Sequence, residues 1–321
     1  MSKRSRVTVT IVVVTYNQEQ WIRQTLDSIL AQQTDYPFEI IIGEDHGTDN
    51  TRAICQEYAN RYENVTLLPS VENLGVTANW LRCIQAGSGK YIMNCAGDDY
   101  WHNPHKIQLQ VDFMESHPEC VLCHTDNDHL DVVTNHITHS VRQNAGIIPP
   151  QGYIQKEVYG GVAHISALTC CYRRSTFEQY VPTEKYVELG LLGEDYPTWV
   201  IMSGYGNVNY LPISTATYRV GQLSITSRVN YDWIRHRYAT EKKQAQWLLG
   251  MFPNLGTYTE ADDQYYDDYC SHQLLLAAYR SNDYTSAQQF AKLDRMPNWK
   301  TRMAHTWLTF KFAQLIDRIK R

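Results

Sequence analysis

Tyr91-Ile-Met-Asn-Cys-Ala-Gly-Asp-Asp-Tyr-Trp101 decides how the chain is read. An apolar run, Tyr91–Cys95, reaches Gly97 and then presents two adjacent carboxylates, Asp98 and Asp99. A short apolar run bounded by turn residues is expected of a strand buried on both faces of a sheet. Like charges side by side repel, and nothing cationic follows in sequence until His102, His105 and Lys106. The pair therefore needs a positive partner from elsewhere. Gly97 is expected to let the backbone turn just before it.

Upstream, the same rhythm repeats. Val7–Val14 is β-branched and nearly continuous, a second buried strand. Trp21, Ile22, Leu26, Ile29 and Leu30 fall on one face of a helix. Phe38–Ile42 reads as a strand ending in the polar loop Gly43-Glu-Asp-His-Gly-Thr-Asp-Asn50, where Asp49 or Asn50 can cap a helix carrying Ile54 and Tyr58. Val65–Leu68, then a helix over Thr77–Ala86, then the quoted strand continue the alternation. Asn103-Pro104 is expected to open the next helix, with proline in its first turn. Strand and helix in alternation with short loops predict an α/β fold with a mostly parallel sheet.

Beyond Val121–Cys123, residues 126–160 lack clear periodicity and are expected to form long loops. Val162–Tyr172 reads as strand, Glu194–Met202 as helix and Val208–Tyr218 as extended. From about Tyr231 helix follows helix, and Tyr269–Leu293 reads as a helical hairpin. The expected organisation is a catalytic domain over 1–228 and a helical region over 229–321, with the linker near 226–230.

Composition is that of a globular protein, with 20% charged and 43% hydrophobic residues among 321. The net charge of −5 gives no reason to expect nucleic acid as a partner. It is unevenly spread: residues 300–321 carry +5 and the preceding 299 carry −10. No apolar run approaches the ~18 residues needed to span a bilayer. The basic, then apolar N-terminus lacks a small-residue cleavage site, so it is read as the first strand and the chain as cytoplasmic. The eight cysteines are then expected to be thiols.

In open parallel sheets, ligands bind beyond the carboxyl ends of the strands. Glu44-Asp45 and Asp98-Asp99 are both expected there, on one rim. Hard carboxylate oxygens suit Mg²⁺ or Mn²⁺, and phosphate oxygens commonly complete the shell. The local chemistry thus suggests a metal-bridged diphosphate.

Four stretches in order resemble a family 2 glycosyltransferase of the GT-A (Rossmann-like) fold: Val9-Thr-Ile-Val-Val-Val-Thr-Tyr-Asn17, the loop Glu44-Asp-His-Gly-Thr-Asp-Asn-Thr51, Asn73-Leu-Gly-Val-Thr-Ala-Asn-Trp80 and Gly89–Trp101. The likeness covers roughly residues 7–225. It implies that Val14, Thr15 and Tyr16 line the nucleotide base and that Asp45 reads it. It also implies that Asp99 ligates Mn²⁺ or Mg²⁺, while Asp98 lies nearer the ribose or diphosphate. Gly193-Glu-Asp-Tyr-Pro-Thr-Trp199 resembles the segment that supplies the catalytic base, here Asp195 with Glu194 as neighbour. Thr217-Tyr-Arg-Val-Gly-Gln-Leu-Ser-Ile-Thr226 resembles the closing segment, with Arg219 facing the diphosphate. Family members invert the anomeric centre by direct displacement.

The implied partners are a nucleotide-sugar donor, a UDP-sugar first, and a glycan or lipid-linked acceptor in surface polysaccharide synthesis. Two departures stand out. Relatives usually read Asp-Asp-Gly-Ser-Thr-Asp where this chain has Glu44 and His46, so the base-side pocket is expected to differ. The chain also lacks a Gln-x-x-Arg-Trp motif and a spanning helix, which points to transfer of a single sugar instead of processive synthesis.

Rival readings are a nucleotidyltransferase on a related fold and a non-catalytic nucleotide-sugar sensor or scaffold. The first calls for a Gly-rich loop after the opening strand, where this chain reads Thr15-Tyr-Asn-Gln-Glu-Gln-Trp21. The second predicts donor binding without turnover. Cys120-Val-Leu-Cys-His124 imitates a haem-attachment motif, but two cysteines three apart on a strand face opposite ways, so buried thiols are expected. Gly87-Ser-Gly-Lys90 imitates the end of a P-loop and fails, because Ile84 and Tyr91 stand where glycine and Ser/Thr are needed. Residues 300–321 mix Met303, Trp307, Leu308, Phe310 and Phe312 with cations. They are read either as a packed helix or as a peripheral contact with the inner face of a membrane. The helical region is also a candidate for forming a homodimer.

Overall fold

The computed structural model describes residues 7–221, 230–296 and 299–319, from 315 on as backbone alone. The chain divides into two compact units, Met1–Gln222 and Leu223–Arg321. Most of the expected linker, 226–229, lies outside the described residues.

The first unit is built on one mixed sheet. Its strands are β1 (Val9–Thr15), β2 (Phe38–Glu44), β3 (Val65–Leu67), β4 (Tyr91–Asn94), β5 (Cys120–Asp131), β6 (His136–Thr138), β7 (Cys170–Arg173) and β8 (Asn207–Val220). The order is β3-β2-β1-β4-β7-β5-β6, with β8 also pairing β5. β3, β2, β1 and β4 run parallel, β7 is antiparallel to both its neighbours, and β8 is parallel to β5. From β1 the chain first moves outward to β3 and then returns to β4. The reversal opens a crevice at the carboxyl ends of β1 and β4, the usual place for a ligand in such sheets.

The helices of this unit are α1 (Ile22–Leu30), α2 (Thr51–Arg61), α3 (Val76–Ala86), α4 (Lys106–Ser116), α5 (Val141–Asn144), α6 (Gln155–Tyr159), α7 (Arg174–Tyr180), α8 (Thr183–Glu188) and α9 (Asp195–Met202). Spacing explains the longer ones. Ile22, Leu26 and Ile29 of α1 and Ile107, Val111 and Met114 of α4 turn toward Val9, Ile11 and Val13 of β1 and Met93 of β4 in one buried core. Pro104 stands just ahead of α4 instead of inside its first turn, and Asp49 supports α2 by accepting the Thr51 N–H at 2.9 Å.

Two expectations fail here. Residues 126–131, read as loop, extend β5 into a twelve-residue strand, and Thr125, Asp126, Asn127 and Asp128 are all buried. Their polar groups are satisfied from a distance: Asp126 accepts the N–H groups of Arg142 and Gln143, and Asp128 accepts from Ser140 and Ser214. Conversely, the strand expected over Val162–Tyr172 shrinks to Cys170–Arg173, behind a 3₁₀ turn at Ala167–Thr169.

The second unit contains α10 (Tyr231–Met251), α11 (Glu260–Arg280), α12 (Tyr284–Leu293), α13 (Trp299–Met303) and α14 (Trp307–Ile319). Its own core includes Ile234, Leu275, Ala278, Phe290 and Phe310. No helix among the described residues is long and apolar enough to cross a membrane.

One buried hydroxyl ties α1 to the turn after β4. Thr25 Oγ1 lies 3.0 Å from the Gly97 carbonyl and 2.6 Å from that of Asp99. Thr25→Val keeps the side-chain shape and removes the donor from both carbonyls. A destabilisation of about 1–3 kcal/mol is expected from urea unfolding at neutral pH, whereas an unchanged midpoint would show that the strap contributes nothing.

Candidate active site

The turn at Gly97–Asp99 is held from both sides of the sheet. From β1, the Val14 carbonyl accepts the Gly97 N–H at 2.9 Å. From α1, Thr25 takes the two carbonyls, and Ser28 Oγ accepts the Trp101 N–H at 3.0 Å. From β8, Tyr100 and Thr217 exchange backbone hydrogen bonds at 3.3 and 2.8 Å. The role expected of Gly97 needs correcting, because its φ is not in the left-handed region. What glycine supplies is room: a Cβ there would stand 2.4 Å from Thr15 Oγ1 and 2.6 Å from Gln18 Oε1.

Asp98 is half-buried and Asp99 almost fully buried. Asp99 Oδ1 accepts the backbone N–H of Arg219 at 2.9 Å. Burial, and after it the charge of Asp98, hold the Asp99 carboxyl well above the ordinary range; Arg219 offsets only part of this. The Arg219 guanidinium is itself enclosed. It lies 4.5 Å from the ring centre of Trp21 and 4.9 Å from that of Tyr100, and donates to the Asp98 carbonyl and to Gln24 Oε1. Its Nε–H is buried and has no acceptor among the described residues. Arg219 is thus built into the wall of the turn. The segment that follows it, 222–226 of the expected closing stretch, lies outside the described residues.

Beside the turn, the ends of β1 and β2 form the adjoining rim. Thr15 is buried and donates to Gln18 Oε1 at 2.7 Å, Val14 is half-buried, and the Tyr16 ring is 45% exposed. Asp45 is buried, and its two oxygens accept the Leu74 and Gly75 N–H groups at 2.9 Å each. Asn73 Nδ2 donates to the Asp45 carbonyl at 2.8 Å. In this structure Asp45 therefore anchors the Asn73–Gly75 turn, and contact with a base would use its remaining lone pairs.

The departures in the acidic loop have a geometry. His46 adopts φ 59°, the left-handed conformation that explains why glycine is usual at that position. Glu44 is buried, accepts the Gly47 N–H at 2.6 Å and pairs with Arg52 at 3.4 Å. Asn17 Oδ1 accepts the Thr48 N–H at 2.7 Å and so laces this loop to the one after β1.

Glu194 and Asp195 open α9, and both are half-buried. Asp195 Oδ1 accepts the Tyr196 N–H at 2.8 Å. Burial and then the charge of Asp195 raise the Glu194 carboxyl. Burial also raises Asp195, against the Tyr196 N–H and the nearby His164. Two carboxyls so placed titrate as a pair.

Tyr218 escaped the sequence reading. Thr217 and Arg219 turn inward from β8 while Tyr218 opens outward, 38% exposed. Its hydroxyl is raised by burial and then by Asp99, Asp98 and Asp195 in turn. One phenol thus feels the carboxylates of both segments. The alternation of a strand ending in Thr-Tyr-Arg could have singled it out.

The donor set suits a hard divalent cation: two neighbouring carboxylates, one of them buried with its charge only partly offset. Among the described residues no group of three or more His, Cys, Asp or Glu side chains is arranged to hold a metal by itself. Oxygens from a ligand would have to complete such a shell. All eight cysteines are free, seven of them buried, including Cys120 and Cys123.

Comparison with known proteins agrees with this architecture. An uncharacterized protein of Mycobacterium tuberculosis, Rv1520, is 43% identical over 117 residues, 36% of this chain and 34% of that one. The dTDP-rhamnosyl transferase RfbG of Shigella flexneri is 36% identical over 105 residues, 31% of this chain and 36% of that one. The chain thus matches only about a third of the length of these curated relatives. Among solved structures, S. aureus TarS 1-349 in complex with UDP-GlcNAc superposes with TM-score 0.54 at 16% identity, over 97% of this chain and 89% of that one. Mannosyltransferase PcManGT from Pyrobaculum calidifontis, in complex with GDP-Man and Mn²⁺, gives TM-score 0.54 at 16% identity, over 98% and 88%. At that identity the likeness is one of fold, the GT-A fold. Residues 10–181, more than half of the chain, match the family model described as glycosyl transferase family 2, and the chain belongs to that family.

Proposed function

We propose that this chain is an inverting glycosyltransferase working in the cytoplasm. It would move a single sugar from a nucleotide donor, a UDP-sugar first, to a glycan or lipid-linked acceptor in surface polysaccharide synthesis. The observation that carries the reading is the turn at the ends of β1 and β4, where Asp98 and Asp99 lie side by side and burial, then the charge of Asp98, holds the Asp99 carboxyl well above its ordinary range. The relatives add support: TarS was solved with UDP-GlcNAc, and PcManGT with GDP-Man and Mn²⁺.

On this reading Tyr16, Val14 and Thr15 line the base, and Asp45 fixes the neighbouring turn and the base edge. Asp99 would hold Mn²⁺ or Mg²⁺, with Asp98 toward the ribose or diphosphate. When bound, such an ion offsets the charge gained by a departing diphosphate. Arg219 adds a buried positive charge whose Nε–H has no acceptor among the described residues. An acceptor hydroxyl is hardly nucleophilic at neutral pH and needs a base within hydrogen-bond reach. Asp195 takes that proton, and its raised affinity for protons makes it a better base than an exposed aspartate. Burial raises that affinity, and the charge of Asp195 in turn raises Glu194.

Two predictions test these roles by release of nucleoside diphosphate from a donor panel with Mn²⁺ or Mg²⁺. Asp195→Asn should lower kcat by about 10²–10⁴-fold and leave donor binding intact, whereas Asp99→Asn should lose donor and metal binding together. Full turnover in either variant refutes its assignment. Donor binding without turnover by the wild type, across acceptors, favours the sensor reading instead.

The second concerns pH. A base must be deprotonated, and both carboxyls are raised, so kcat/KM should climb with pH through a limb above the ordinary carboxylate range. Burial raises Asp195, and the charge of Asp195 raises Glu194, which is still protonated when Asp195 ionises, so Glu194→Gln should leave that limb in place. A limb that moves would show that Glu194 shares the proton with the base.

A further inference from the structure

The last two helices of the second unit present a surface that the transfer chemistry does not use. α14 buries Phe310 and Ala313 in the unit's core beside Ala304 and Tyr279. On the opposite face of the same helix, Trp307, Leu308 and Phe312 are 54, 74 and 56% exposed. Helical spacing puts these three together with Lys311 in one stripe, and Lys311 Nζ stands 5.6 Å from the Trp307 ring centre. Just before it, Leu293, Met296 and Trp299 are also exposed. A soluble helix normally hides its large apolar side chains; this one hides one set and displays another.

Charge says what the displayed set faces. Residues 292–314 carry five cations, Lys292, Arg295, Lys300, Arg302 and Lys311, against one acid, Asp294. Asp294 is buried and engaged with His272 and Thr301, so it does not offset them at the surface. The chain as a whole is at −5, so an anionic surface repels most of it and attracts this region. Exposed Trp, Leu and Phe among Lys and Arg match the headgroup and acyl boundary of an anionic bilayer, where aromatic rings insert and ammonium groups reach back to phosphate.

We infer that the α13–α14 face docks the protein on an anionic lipid surface, through Trp307, Leu308 and Phe312 inserted between headgroups and Arg302 and Lys311 above them. The docking is independent of donor chemistry. Vesicle binding and diphosphate release can therefore fail separately.

The test is co-sedimentation of the full chain with vesicles of phosphatidylglycerol and phosphatidylcholine, or of phosphatidylcholine alone. Wild type is compared with Leu308→Ser/Phe312→Ser and with Arg302→Glu/Lys311→Glu, each checked for folding by circular dichroism and for unchanged donor turnover in solution. Wild type should bind the anionic vesicles, release them at high salt, and show a blue shift of tryptophan emission. Each double variant should lose about tenfold or more in affinity. Equal recovery of wild type and variants, or binding to neutral vesicles alone, overturns the inference. So does a wild-type dimer that binds no vesicles and that the Leu308/Phe312 variant dissolves, since the stripe would then face a second copy.

Discussion

Two carboxylates occupy consecutive positions at a turn that the sheet largely encloses, and the surrounding structure is arranged around that constraint. Hydrogen bonds from Val14, Thr25 and Arg219 fix the backbone and one carboxylate oxygen of Asp99. They do not outweigh burial and, after it, the charge of Asp98, which keep the Asp99 carboxyl well above its ordinary range. Arg219 offsets part of this, yet its guanidinium is aimed at a carbonyl and at Gln24 and lies between two rings. Geometry is satisfied among the described residues while Asp99 stays buried beside a second carboxylate, an arrangement that a cation with its ligand is suited to relieve.

The other acidic positions differ from this pair in kind. Glu44 and Asp45 are also buried at a strand end, but each is engaged by backbone N–H groups of its own loop or the next. They shape the rim. Glu194 and Asp195 stand at the start of a helix, where the unpaired N–H groups favour a negative charge, and burial works against that preference. The outcome is a pair with a higher affinity for protons than exposed carboxylates, which on the proposed reading suits Asp195, once ionised, to accept one. Similar residues thus sit in different electrostatic settings according to how buried each one is and how many donors it meets.

Much of the first unit was legible because its strands are continuous apolar runs and its helices keep strict spacing, as in Val9–Thr15 and Ile22–Leu30. What stayed illegible was polar and buried. Thr125-Asp-Asn-Asp128 has no periodic signature, since its partners, Arg142, Gln143, Ser140 and Ser214, lie 12 to 86 residues away. Carboxylates at the rim could be read from motifs, whereas Thr25 could not, because it matters through what the fold brings to it; strand alternation could place Tyr218 on the outer face but not beside both carboxylate segments. Gly97 shows a subtler limit: the residue type was informative, but space and not φ was the reason for it.

The most direct measurement is the affinity for Mn²⁺ in the presence of UDP, read from the loss of the free-ion electron paramagnetic resonance signal across pH. Because protonation of Asp99 competes with the cation, wild-type affinity should rise with pH beyond the ordinary carboxylate range, and Asp99→Asn should abolish both the binding and the rise. Equal affinity and an equal pH response in the two proteins would contradict the central claim, that the paired carboxylates of this turn hold a cation.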